Sequence, residues 1–173
     1  MLVVNFFGGP DSGKSTMAAA VYSQLKFQEI NCECVQEYAK DKVWEESYGV
    51  LKDQIYVFAK QQHRLKRLDG KIDIALMDSP LLLSAIYDAT KNHLFHRLIL
   101  QEFEKYTNLN YFLQRHTQYH PVGRVHSEEQ ALQKDNEILA LLENHHIPFT
   151  VLNSGEASVQ KIIKIIKPLS STG

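Results

Sequence analysis

The sequence lacks the features that mark several large classes of protein. Its 173 residues include only two cysteines, Cys32 and Cys34, too few for a disulfide-stapled secreted scaffold, and we expect no disulfide between them. No apolar run approaches the ~20 residues that a membrane-spanning helix needs. The N-terminus enters a predicted strand at once, which leaves no room for a signal peptide. We therefore expect a cytoplasmic protein that has no membrane partner.

Strong charge of one sign and metal-binding spacings are also missing. The formal net charge is −1, so no overall basic character recruits nucleic acid. Eight histidines are present, but neither H-E-x-x-H nor C-x-x-C occurs, and a zinc site is not expected. Apolar residues make up 44% and charged residues 23% of the chain, which is ordinary for a globular protein. We expect one domain over residues 1–173, large enough to build its own core.

A glycine-rich stretch, Gly8-Gly9-Pro10-Asp11-Ser12-Gly13-Lys14-Ser15-Thr16, matches the phosphate-loop pattern G-x-x-x-x-G-K-[ST]. An apolar run over residues 2–7 precedes it and a helix-forming run over residues 17–22 follows it, which is the strand–loop–helix context of a genuine phosphate loop. Glycines permit backbone conformations and close approaches that a side chain would block. The loop N–H groups and the N-terminus of the next helix would then face phosphate oxygens. The predicted nucleotide-binding residues are Gly8, Gly9, Asp11, Ser12, Gly13, Lys14, Ser15 and Thr16.

Individual residues of this loop have distinct expected roles. Lys14 would reach the β- and γ-phosphates of ATP, and Ser15 would place its hydroxyl on Mg²⁺, with Thr16 behind it. Asp11 is unusual, because it puts a carboxylate into a loop built for anions. We predict that the Asp11 side chain points away from the nucleotide.

Strand-like and helix-like segments alternate along the chain. Strands are predicted near residues 2–7, 31–36, 72–77, 109–113 and 148–152. A long helix is expected to start near Leu51 and to bury Ile55 and Phe58, and another over residues 93–106 should bury Leu98. The alternation predicts an α/β fold, a parallel sheet with helices on both faces. Ligands of such sheets bind beyond the carboxyl ends of the strands.

Two acidic residues directly follow predicted strands. Asp78 ends an apolar strand, where phosphate-loop proteins hold Mg²⁺ or its water with a carboxylate. The alternative for Asp78 is a helix N-cap before Ser79-Pro80. Glu37 ends the second strand, where a carboxylate could accept the proton of an acceptor hydroxyl. The alternative for Glu37, with nearby Asp41, is a solvated cluster of charges.

Further candidates come from the segments that flank the predicted strands. Arg124 lies in a predicted lid loop over about residues 116–126, and both Arg124 and Arg115 could stabilise charge on a transferring phosphoryl group. The alternative for each is a surface arginine. Other residues could contact an acceptor or the nucleotide, although core packing is the alternative for the aromatics. The predicted substrate-binding residues are Glu37, Tyr38, Asp41, Trp44 and Gln54, and Gly155 could lie against adenine.

With these residues, the chain resembles small phosphate-loop nucleoside and nucleotide kinases. More narrowly, it is similar to the ribosylnicotinamide kinase domain of NadR-type proteins and to short AAA-type kinases of phages. The matching stretches are residues 8–16, 37–41, 58–63, 78–79, 123–124 and 141–150. The resemblance implies a five-stranded parallel sheet in the order 2-3-1-4-5, Mg·ATP as donor, and an acceptor hydroxyl near Glu37 and Asp78. The chain departs from the family at Lys40, usually arginine, and at Ser79, usually threonine.

The predicted activity is an ATP-dependent transfer of the γ-phosphoryl group to a small nucleoside- or nucleotide-like acceptor. One alternative keeps this chemistry but uses a hydroxyl of modified DNA, with the basic residues Lys60, Arg64, Lys66 and Arg67 along the backbone. A second alternative is an NTPase switch without kinase activity. The acceptor, the choice between ATP and GTP, and the oligomeric state stay open.

Overall fold

The computed structural model describes residues 1–114 and 128–170. Strands and helices alternate in it as the sequence predicts, and five of its thirteen elements are strands. The elements are β1 (Leu2–Phe7), α1 (Lys14–Phe27), β2 (Cys32–Val35), α2 (Tyr38–Trp44), α3 (Tyr48–Leu51), α4 (Gln54–Lys66), β3 (Ile74–Met77), α5 (Leu83–Tyr87), α6 (His93–Glu104), β4 (Thr107–Gln114), α7 (Glu128–Asn144), β5 (Thr150–Asn153) and α8 (Glu156–Ser170).

All five strands join one parallel sheet in the order β2-β3-β1-β4-β5. Val4 at the centre of β1 lies opposite Leu76 of β3 on one side and Leu109 of β4 on the other. The predicted α/β fold and strand order are therefore confirmed. Because the strands are parallel, their carboxyl ends meet at one edge, where the segments that follow β1, β2, β3 and β5 lie side by side.

Alternating residues of the central strand build two separate cores. Val4 and Phe6 of β1 pack with α1 and α8 on one face of the sheet. Val3 and Phe7 pack with α4, α5, α6 and α7 on the other face. This alternation is the two-residue side-chain period of a strand, and it makes β1 fully buried, as expected for the central strand of a covered parallel sheet.

A polar ladder crosses the sheet inside this core. The Asn5 side chain, 1% exposed, donates to the Oδ1 atoms of Asn108 and Asn110 on β4, at 2.9 Å each. Asn110 in turn donates to the Pro148 carbonyl at 2.9 Å. Buried amides must be paired, so these bonds fix the register between β1 and β4.

The region between β2 and β3 differs from its prediction. The long helix expected from about residue 51 is instead two helices, α3 and α4, and the Asp53 side chain caps α4 by accepting from the Tyr56 N–H. Ile55 is 58% exposed, whereas Val57 and Phe58 face the core. The prediction that Ile55 is buried is wrong because it lies outside the buried stripe of α4, which consists of Gln54, Val57, Phe58, Gln61 and Leu65.

A smaller difference concerns the buried face of α6. Leu98 of α6 was expected inside but is 44% exposed, because Phe95, Ile99 and Phe103 already fill the buried stripe of that helix. Both cysteines, predicted to be unpaired, are free. Within the part of the chain that the structure describes, no helix combines the length and the apolar character needed to cross a bilayer.

Candidate functional site

The phosphate loop, residues 8–16, joins β1 to α1 with a backbone that is left-handed at three positions. The φ angles are 140° at Gly8, 65° at Asp11 and 89° at Gly13. A Cβ on Gly8 would lie 2.4 Å from Ser12 Oγ, so only glycine fits there. Asp11 is explained by its backbone: aspartate and asparagine adopt this conformation at less cost than other side chains. The direction of its carboxylate relative to a nucleotide stays a prediction.

Lys14, the first residue of α1, folds back onto the start of this loop. Its Nζ donates to the Gly8 carbonyl at 2.9 Å and to the Gly9 carbonyl at 2.8 Å. The ammonium group is thus held over the loop, where phosphate oxygens could replace the carbonyls as acceptors. Ser15 and Thr16 follow in the first turn of α1, at the positive end of the helix dipole.

Side chains from the far end of the sequence hold the loop in place. Asp135 of α7 accepts a hydrogen bond from the Gly9 N–H at 2.5 Å, and a Cβ on Gly9 would lie 2.5 Å from the Ala131 carbonyl. On the other side, Ser154 Oγ donates to the Ser12 carbonyl at 2.7 Å. Asp135 was missed from the sequence, where nothing distinguishes it from the other polar residues of its helix.

Gly155 follows β5 and lies against α1. Its N–H contacts Met17 Sδ at 3.4 Å. A Cβ at this position would meet no described atom within 4 Å. The backbone there faces open space beside the loop, and its proposed contact with adenine stays a prediction.

Asp78 ends β3 as predicted and is only 6% exposed. Its Oδ1 has no hydrogen-bond partner among residues 1–114 and 128–170, and the same is true of Ser12 Oγ. The N-cap of α5 is Leu82, so Asp78 does not cap that helix. A buried carboxylate oxygen without a partner is costly unless a ligand satisfies it.

These residues fit a magnesium ion bound together with phosphates. Mg²⁺ prefers oxygen ligands and in nucleotide sites takes one or two from the protein, the rest from phosphates and water. Asp78 and the Ser15 hydroxyl offer oxygens of this kind. No cluster of three or more histidine, cysteine, aspartate or glutamate residues suited to a metal occurs in the described residues.

Glu37 stands between β2 and α2, in the N-cap position of α2. Because β3 separates β2 from β1, the ends of these two strands lie roughly 10 Å apart, about two strand spacings. The phenol of Tyr87 on α5 lies close enough to Glu37 and to Asp135 for both charges to affect its pKa. Burial raises the pKa of Tyr87, and the charges of Glu37 and Asp135 raise it further. Tyr87 therefore stays protonated at neutral pH.

Gln61 of α4 reaches the residue after Glu37 and was not singled out from the sequence. Its Oε1 accepts from the Tyr38 N–H at 2.9 Å, and the side chain is 4% exposed. Its Nε2 has no hydrogen-bond partner in the described chain. A buried amide donor beside Tyr38 is therefore left unsatisfied by the described residues.

The predicted acceptor residues have different environments. Tyr38 is buried against Tyr56, Trp44 is 67% exposed, and Gln54 is buried with its Nε2 donating to the Leu51 carbonyl at 2.7 Å. Asp41 pairs with Arg64. Their roles toward an acceptor stay predictions.

The basic residues of α4 are partly engaged within the protein. Arg64 donates to Asp41 and to the Gln36 carbonyl, and Lys60 lies 5.1 Å from the centre of the Tyr56 ring. These two cations do not form the free stripe that the DNA alternative would use.

A cavity of about 290 Å³ lies along the outer edge of β2, and its lining includes Cys34, Asp41, Arg64 of α4 and Arg67 directly after that helix. Burial, with smaller effects from the charges of Asp78 and Glu33, raises the pKa of the Cys34 thiol to about 11. The thiol is protonated at neutral pH and is not an activated nucleophile.

Arg115, Arg124 and the predicted lid loop over 116–126 lie outside the described residues.

A family model described as an AAA domain matches residues 3–160. The chain belongs to the AAA_28 family of AAA domains. None of the curated proteins matches it. The phosphate loop, Glu37 and Asp78 all lie within the stretch that this AAA_28 match covers.

Solved structures of a kinase share the fold of this AAA_28 protein. Deoxyadenosine kinase from M. mycoides with bound dATP is 18% identical, with a TM-score of 0.56 over 95% of this chain and 99% of that chain. The same enzyme with bound dCTP is 16% identical, with a TM-score of 0.53 over 96% and 99%. The predicted resemblance to phosphate-loop nucleoside kinases is confirmed at the level of the fold. The narrower similarity to NadR-type and phage kinases stays a prediction.

Proposed function

We propose that this AAA_28 protein is an ATP-dependent kinase that phosphorylates a small nucleoside- or nucleotide-like acceptor. The observation that carries the proposal is the pair of partnerless buried oxygens, Ser12 Oγ and Asp78 Oδ1, at the strand edge that also holds Lys14. Buried oxygens of this kind call for a ligand that donates hydrogen bonds or a cation. Mg·ATP on the phosphate loop supplies the cation.

In the proposed reaction, the chain binds and orients two substrates at one edge of the sheet. Lys14 leaves the carbonyls of Gly8 and Gly9 and contacts the β- and γ-phosphates. Magnesium, held through Ser15 and Asp78, would offset the charge of the transferring group. Glu37 takes the proton of the acceptor hydroxyl while the oxygen of that hydroxyl forms a bond to the γ-phosphorus. The bond between that phosphorus and the bridging oxygen breaks, and ADP leaves.

The acceptor is proposed to lie between α2, α4 and α5. Gln61 Nε2 would donate to a polar edge of the acceptor, since it is a buried donor with no partner in the described residues and sits beside Tyr38. Exposed Trp44 supplies an aromatic face at the rim. A nucleoside offers both a polar edge and a stacking surface. The fold shared with deoxyadenosine kinase supports this class of acceptor. Arg115 and Arg124 are proposed to stabilise the transferring phosphoryl group.

The test is a transfer assay with radiolabelled γ-phosphate and a panel of nucleosides, nucleotides, nicotinamide riboside and modified DNA. A kinase of the proposed class gives a labelled small-molecule product that depends on Mg²⁺ and on the acceptor. Release of inorganic phosphate alone, at a rate that no acceptor changes, would identify an NTPase and overturn the proposal. Label found only in DNA would overturn the choice of acceptor.

A further inference from the structure

Asp135 is a buried carboxylate that the proposed chemistry does not use. It lies on the second turn of α7, is 9% exposed, and its Oδ1 accepts the Gly9 N–H at 2.5 Å across 126 residues of sequence. We propose that Asp135 is a positioning residue for the phosphate loop, and that its hydrogen bond to Gly9 sets the loop in the shape that binds the nucleotide. The inference rests on the proposed nucleotide binding at that loop.

The packing around Gly9 shows that this contact is built in. A Cβ on Gly9 would lie 2.5 Å from the Ala131 carbonyl and 2.9 Å from Asp135 Oδ1. The loop and α7 can therefore approach this closely only because residue 9 is glycine. Such an approach places the carboxylate on the Gly9 N–H and excludes water from it.

Electrostatic costs disfavour a carboxylate at position 135 if its only role is to pack against the loop. Burying a carboxylate costs free energy unless hydrogen bonds satisfy it, and a negative charge beside a phosphate site opposes anion binding. An apolar residue would cover the loop without either cost. The aspartate is explained if the loop requires the strong, directional hydrogen bond that the Gly9 N–H donates to its carboxylate.

The backbone N–H and the carbonyl of Gly9 both form hydrogen bonds to side chains. Its N–H donates to Asp135, while its carbonyl accepts from Lys14 Nζ at 2.8 Å. When Lys14 moves to phosphate, the carbonyl keeps its hydrogen bond from the Ser12 N–H at 3.3 Å, and the Gly9 N–H keeps its bond to Asp135. We therefore expect the Asp135 contact to persist while the Lys14 contact exchanges on binding.

The experiment compares Asp135→Ala, Asp135→Asn and Asn136→Ala, with Lys14→Ala as the loop control. Asn keeps an oxygen acceptor for Gly9, and Asn136 is the exposed neighbour on α7. Titration with a fluorescent ATP analogue should give a dissociation constant raised about tenfold or more in Asp135→Ala, the size expected for a lost charge-assisted bond. Asp135→Asn should recover to within about threefold and Asn136→Ala should match wild type. In the transfer assay KM for ATP should rise with the dissociation constant, and kcat should change less.

A second readout does not need a bound nucleotide. Amide hydrogen exchange over residues 8–13 should accelerate in Asp135→Ala and stay at the wild-type rate in Asn136→Ala. Unchanged exchange in Asp135→Ala would overturn the proposal, as would a dissociation constant within about twofold of wild type in a folded variant. If wild type fails to bind the analogue, the proposed function fails and the exchange rates alone decide the role of Asp135. A different result would contradict only the proposed role of Asp135. In that result wild type binds the analogue, Lys14→Ala does not bind it, and Asp135→Ala binds it as wild type does.

Discussion

Two regions at the same edge of the sheet are held in different ways. The phosphate region, residues 8–15, is fixed by Asp135 and Ser154, which are remote in sequence. In the acceptor region, residues 37–66, α4 packs on the core of the sheet, and the Gln61–Tyr38 bond joins α2 to α4. This region also leaves Trp44 67% exposed and Ile55 58% exposed.

This difference indicates how the two halves of the site can vary. The shape of the phosphate region depends on α7 and β5 and therefore on the whole fold. The exposed residues of the acceptor region can change without disturbing the sheet, because they do not pack in either core. Acceptor identity should therefore depend on residues 37–66, and nucleotide binding on the fold. Substitutions at four positions test this comparison.

The largest effect is expected in the phosphate region. Lys14→Ala should reduce transfer by at least about 10²–10³-fold, because it removes the cation aimed at the developing phosphate charge. The melting temperature should stay near that of wild type, since Lys14 is half-buried at the surface of the loop. Steady-state kinetics and circular dichroism measure both. Lys26→Ala, an exposed lysine on the same helix, is the control. Retained transfer in Lys14→Ala would remove the loop from the mechanism.

Glu37→Gln tests the acceptor region with an isosteric change. Loss of a general base should slow transfer ~10²–10⁴-fold and remove the acidic limb of the pH–rate profile, while ATP binding is unaffected. Kinetics from pH 5 to 9 provide the measurement. Glu33→Gln, a matched change on β2 four residues earlier in the chain, should behave like wild type. A near-normal rate for Glu37→Gln would show that Glu37 is a solvated surface charge and not the general base.

Gln61→Glu isolates the partnerless amide. Glutamate keeps an oxygen for the Tyr38 N–H but has no Nε2, so KM for the acceptor should rise roughly tenfold while the ATP dissociation constant is unchanged. Gln62→Ala is the control, because Gln62 donates to Glu102 on α6 instead. An equal rise for ATP and acceptor would mean general damage to the region and would contradict the separation of the two halves.

The smallest effect is expected at Asp11, where the backbone and not the carboxylate is important. Asp11→Gly should change the ATP dissociation constant by less than about threefold, because glycine adopts a φ of 65° freely. Asp11→Val should lower the free energy of unfolding by about 1–2 kcal/mol, since a β-branched residue is strained there. Urea unfolding and ATP titration measure these changes. Much tighter ATP binding by Asp11→Gly would show that the carboxylate faces the nucleotide.

Much of the fold was predictable because its signals are local. The phosphate loop, the apolar strands and Asp78 at the end of β3 all follow from short stretches of sequence. The faces of α4 and α6 were less predictable, because Ile55 and Leu98 are apolar residues that fit a helical period but lie outside the stripe that packs. Which turn of a helix meets the sheet depends on its cap and on the elements beside it.

The sequence by itself determined the loop, the strand–helix alternation and the acids that follow the strands, since each depends on neighbouring residues. Only the tertiary structure decided that Asp135 meets the Gly9 N–H and that Gln61 reaches the residue after Glu37. Those contacts join residues that are far apart in the chain, and each pairs polar groups that folding removes from water.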